Sequence, residues 1–158
     1  MTDQEEASLI SRTLRELTWV RIAFGASLVV FLVLAKFGPW QEQGLARLES
    51  IFQIVTVVVV IVGYVLRRFL LSEQGIMMRH AQFQGDSETL AKYYKQIMLV
   101  TFAVCEAVGL LGMAMVASGS SFKRSIPFFA LGLMALVIFR PKRAELENII
   151  RYGKFLAS

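Results

Sequence analysis

The chain has one cysteine, Cys105, and one histidine, His80. A single cysteine excludes an internal disulfide and any cysteine-rich metal site. The sequence contains no CxxC, no HExxH and no glycine-rich phosphate loop, and its one histidine forms no triad with serine and aspartate. Met77, Met78, His80 and Met98 carry the soft ligands that suit Cu(I). Their spacing is irregular and Met98 falls in a helical run, so neither a metal nor another cofactor is expected. His80 also lies in no haem-binding motif. Charge is missing from long stretches as well. Residues 22–35, 50–66, 107–122 and 125–139 are almost free of it, and 96–105 extends the third run across a lone Glu106. No soluble core of a 158-residue chain hides runs of that length.

Hydrophobic residues make up 56% of the sequence and mean hydropathy is +0.57, against about 45–50% apolar in soluble domains. Spanning a bilayer takes about 20 helical residues. The expected fold is therefore an all-α integral membrane protein, a bundle of four transmembrane helices at about 19–37, 50–68, 95–117 and 123–140. An amphipathic lead-in (1–18), a middle loop (69–91) and an amphipathic tail (141–158) complete this single membrane domain. The net charge of +5 does not point to nucleic acid, because the basic residues flank the spans. Assigned to alternating sides, thirteen Lys and Arg lie on the side of the termini and middle loop and four on the other. The positive-inside bias then puts both termini in the cytoplasm. No cleavable signal peptide is expected: the start is acidic (Asp3, Glu5, Glu6) and no small-residue cleavage pattern follows the first run.

In the lead-in, Thr2 and Glu5 have capping-box spacing, and Ile10, Leu14 and Leu17 share a helical face expected at the cytoplasmic interface. Trp19, Arg21, Trp40, Tyr93 and Tyr94 are the expected interface anchors. Gly38 and Pro39 end the first span. Asp86 or Ser87 is the expected N-cap of the third, and Gly75, Gln84 and Gly85 break the middle loop. Ser118 to Ser121 makes a tight outer turn. Pro127 is expected in the first turn of the fourth helix. In the tail, Leu146, Ile149 and Ile150 are expected to rest on the membrane surface, with Gly153 ending the helix. The two hairpins share a coarse plan, but any two hairpins obeying the positive-inside bias do so.

Glu106 stands out. A carboxylate at mid-membrane costs roughly 3 kcal/mol on insertion scales, so it needs a partner, a proton or a task. It is read either as an ion- or proton-binding group or as a hydrogen-bonded residue that fixes helix packing. Candidate partners are Ser27, Gln53, Thr56 and Thr101; Arg21 lies too near the cytoplasmic surface for a direct ion pair. Cys105, Gly109, Gly112 and Val116 share one face at i, i+4, i+7 and i+11 and form a groove that admits another helix closely. Glu106 borders it, about 60° around the helix from Gly109. Packing within the chain is the favoured use of the groove, ahead of an oligomer seam.

Residues 94–112 open with Tyr94 and Lys95, continue through an apolar run to Glu106 and Ala107, and carry Gly109 and Gly112 beyond. This stretch resembles the carboxylate helix of the membrane-ring c subunit of rotary ATP synthases. The resemblance implies that Glu106 is an ion-binding carboxylate on a helix running outward from the cytoplasm. It implies no ring, because the second span is valine-rich with only Gly63, where that family uses glycines. Two functions are therefore expected. The first is a non-catalytic accessory, assembly or scaffold subunit in a bacterial inner membrane, partnered by the lipid bilayer and by itself or a larger membrane protein. The second is proton or cation translocation through Glu106. An enzyme acting on lipid headgroups lacks an interfacial cluster of carboxylates or histidines.

Overall fold

The computed structural model describes residues 3–40, 46–78 and 86–157, and among these every regular element is helical. They are α1 (Asp3–Phe37), α2 (Ala46–Leu70), α3 (Glu73–Met77), α4 (Ser87–Ala117), α5 (Phe122–Ile138) and α6 (Arg143–Ala157). The expectations placed on Thr2, His80, Gln84 and Gly85 lie outside the described residues.

Three helices are long and apolar enough to cross a membrane: Gln4–Phe37, Glu49–Leu70 and Ser87–Ala117. A fourth candidate exists only if α5 and α6 count as one span bent by 56°. The apolar side chains of α1 and α2 point mostly outward. Only 11% and 6% of the most apolar stretches of α1 and α2 are buried, against 44% in α4. Val30, Val33, Ile54, Val58, Ile61 and Val137 are all about half exposed or more. Apolar side chains exposed in such number mark surface covered by lipid or protein.

The local chemistry explains the helix ends. The Asp86 carboxylate caps α4, accepting from the N–H groups of Glu88 (3.3 Å) and Thr89 (3.0 Å) and from the Thr89 hydroxyl (2.6 Å). These bonds, the Thr89 hydroxyl's first, hold Asp86 below the usual carboxylate range. At the other end Gly119 takes φ 92°. Its N–H reaches Val116 O (2.9 Å) and that of Ser120 reaches Met115 O (3.2 Å). That is the double bond of a Schellman turn, which requires the left-handed region at this residue. Pro141 follows α5, and the residue before a proline avoids the helical region.

The helices divide into two compact units. The first comprises Met1–Val20, Tyr64–Thr101 and Arg140–Ser158. Its core includes Leu17, Leu90, Met98, Leu146, Ile149 and Ile150, all buried. The tail therefore does not lay these residues on the membrane surface; α6 packs them into protein. Gly153 does not end α6. It lies inside the helix, where a Cβ would press on the Leu90 side chain. The face of the lead-in is corrected likewise: within the 35-residue α1, Ile10, Thr13 and Leu17 are buried in protein. An apolar helical stripe satisfies itself equally well against protein or headgroups, and here protein provides the surface. α3, absent from the sequence expectation, interrupts the middle loop. Its N-cap Ser72 accepts from the Gly75 N–H at 3.3 Å.

The second unit comprises Arg21–Gly63 and Phe102–Phe139. Here α4 is surrounded. Phe24 packs near Phe102 (ring centroids 6.0 Å), and Leu28 approaches Gly109, so α1 and α4 run parallel. Phe128 and Phe129 meet Gly112 while Gly132 meets Cys105, so α5 runs antiparallel to α4. Phe52, Val59 and Val60 of α2 pack on the cluster of Val108, Met115 and Phe128. Pro127 falls in the second turn of α5 rather than the first, because the helix begins directly after the turn at Phe122.

Candidate functional site

Glu106 sits in the second unit, half-buried, on the turn of α4 that begins at Phe102. Within residues 22–35, 50–63, 102–122 and 125–139 it is the only charged residue. Parallel packing of α1 on α4 brings Ser27 to it, and the Ser27 hydroxyl donates to Glu106 Oε1. The other candidate partners are turned elsewhere. Thr56 and Thr101 donate to the carbonyls of Phe52 and Ile97, each at 2.8 Å on their own helix. Gln53 is exposed. Such back-bonding satisfies a hydroxyl without a second helix, which leaves Ser27 as the hydroxyl that ties α1 to α4.

The groove beside Glu106 is filled. A Cβ at Gly109 would collide with Leu28 and lie 3.6 Å from Phe129. One at Gly112 would lie 2.8 Å from Phe128 Cβ and 3.4 Å from the Ser125 carbonyl. Cys105 and Val116, at the two ends of the stripe, are buried, and Val116 clusters with Ala35 and Phe129. α1 and α5 of the same chain thus occupy the face. Beyond the far end of α4, Glu49 of α2 accepts from the Ser120 hydroxyl and pairs with Arg124, clasping α2 to the α4–α5 turn.

The proposed anchors separate into two groups. Trp19 is 68% exposed and Arg21 half-buried on α1. Trp40 is partly exposed, and its indole N–H donates to Leu34 O at 3.1 Å, covering the end of α1. Tyr93 and Tyr94 are 4% and 0% exposed, inside the first unit instead of on its perimeter. Tyr93 donates to Leu70 O at 3.0 Å. The Tyr94 hydroxyl lies 3.2 Å from Glu145 Oε2 and accepts from the Lys142 N–H at 3.0 Å. Arg67 Nη2 grips the same Glu145 at 2.8 and 3.1 Å. Lys95 pairs with Glu16, and Lys154 with Glu6. Sequence reasoning missed this network. Arg67 and Glu145 are 78 residues apart, and no local spacing signals such a pair.

A cleft of about 630 Å³ lies in the first unit between α3 and α6, lined by Leu71, Ser72, Ile76, Ile149, Tyr152 and Phe155. Glu73 and Arg151, both exposed, are its charged groups. Among the described residues no three His, Cys, Asp or Glu side chains come together as metal ligands.

The fold defines a class: an all-helical protein with three to four candidate membrane-spanning helices. Comparison of the chain with protein families, curated proteins and solved structures finds no match.

Proposed function

We propose that this chain is a four-span protein of a bacterial inner membrane with both termini in the cytoplasm. In this reading it is a non-catalytic accessory, assembly or scaffold subunit that packs beside itself or a larger membrane protein. One observation carries the proposal. The sole charge in the apolar stretches of the second unit is engaged by a serine of a neighbouring helix, beside a groove closed by the chain's own side chains. A polar pair between membrane helices contributes roughly 0.6–1.7 kcal/mol to their association, so Glu106 has a structural task. The charge asymmetry of the loops supports the orientation. The test is purification of the native protein in mild detergent. A larger membrane protein or a second copy co-migrating with it supports the reading; a monomer that turns over a substrate contradicts it.

A second reading, proton or cation translocation, is favoured by the partial exposure of Glu106 and by engagement of Oε1 in the Ser27 bond, which leaves Oε2 to take an ion. Labelling with dicyclohexylcarbodiimide separates the two. Translocation predicts pH-dependent modification of Glu106 that blocks flux in proteoliposomes. A structural carboxylate predicts no flux to block.

A further inference from the structure

In the first unit three cross-links meet on two successive residues of α4. Tyr94 bonds to Lys142 and Glu145, Glu145 bonds to Arg67, and Lys95 pairs with Glu16. They bring Arg67 of α2, Lys142 and Glu145 after α5, and Glu16 of α1 to the same level of α4. Next to these cross-links stand four exposed cations: Arg15 beside Glu16, Arg68 beside Arg67, Lys142 itself, and Arg140 two residues before it. Among the described residues none of the four has a carboxylate partner. The other described cations of this unit are held by Glu6, Glu16, Glu88, Glu145 or Glu147 or, for Arg151, by Asn148. Trp19, one turn beyond Arg15 on the same face of α1, is 68% exposed.

Charge pairing therefore distinguishes these four from their neighbours. Arg68, Arg140 and Lys142 are exposed cations just past the ends of apolar runs, and Arg15 shares a face of α1 with an indole of the kind that settles at headgroup level. Arginine presents a planar fork that matches phosphate oxygens, and lysine a point charge. We propose that Arg15, Arg68, Arg140 and Lys142 form a collar that binds the phosphates of anionic phospholipid headgroups. This rests on the multi-pass membrane reading but not on any protein partner. The isolated full-length chain suffices for its test, and failure to find a partner leaves that test intact.

The test follows thermal unfolding of the full chain in neutral detergent, titrated with phosphatidylglycerol, with phosphatidylcholine, or with inorganic phosphate. The double variant Arg68→Gln/Lys142→Gln is compared with Arg12→Gln/Lys92→Gln, which removes the same charge from carboxylate-paired sites. Each collar cation contributes about fivefold to affinity for an anionic surface. Phosphatidylglycerol should raise the melting temperature of the wild type, and high salt should suppress that rise. Phosphatidylcholine and phosphate should not produce it. The collar variant should need roughly 25-fold more phosphatidylglycerol for the half-maximal shift, and the control variant less than about twofold more. If the double variant unfolds without lipid, Arg68→Gln and Lys142→Gln are read singly, each expected at about fivefold. Equal stabilisation by phosphatidylcholine or phosphate, or an equal loss in the control variant, overturns the proposal.

Discussion

Glu106 is a carboxylate whose meaning depends on its partner. The sequence isolates it, since hydropathy alone marks a charge within an apolar run. Its partner was legible only as one of four hydroxyl or amide residues. The choice of Ser27 comes from the parallel register of α1 on α4, which leaves no local trace in the chain. Ser27→Ala should destabilise the protein by about 1 kcal/mol, measured by unfolding in detergent micelles. Gly109→Ala should cost more, about 1–3 kcal/mol, because the added methyl meets Leu28. Combining it with Leu28→Ala should yield less than the sum of the two single losses. A double-mutant cycle that shows additivity would mean that Leu28 does not fill the groove in the folded protein.

At the scale of elements, the N-cap of α4 was legible and the docking was not. Asp86 was readable as an N-cap because a short acidic side chain before a helical run is a local signal. Asp86→Ala should cost about 1 kcal/mol. Its carboxyl sits below its ordinary value in the folded chain. The contribution is therefore complete above the unfolded aspartate value of about 3.9 and is lost as pH falls through the lower folded value. Melting curves of wild type and variant should converge in acid. The apolar face of α6 was equally readable, but a stripe of Leu146, Ile149 and Ile150 fits a membrane surface as well as a protein core. The structure buries all three. Leu146→Ala should accordingly cost about 2–5 kcal/mol and raise amide exchange along α6. Unchanged exchange would place that face on lipid. The same ambiguity turned Tyr93 and Tyr94 from expected belt residues into core.

At the scale of the molecule, long uncharged runs made the membrane class plain from sequence. The core of the first unit was invisible, because it is assembled from segments that each look like flanks. Three helices are long and apolar enough to span a membrane outright, and the short α5 is so only together with α6. We propose that Glu106 ties helices together in a scaffold and does not carry ions. Glu106→Gln tests it most directly, expressed in native membranes and read by both co-purification of partners and cation flux in proteoliposomes. A structural Glu106 predicts a lower melting temperature or weaker assembly, with flux identical to that of protein-free vesicles in wild type and variant alike. A variant that folds and assembles normally but abolishes a flux carried by the wild type would contradict it.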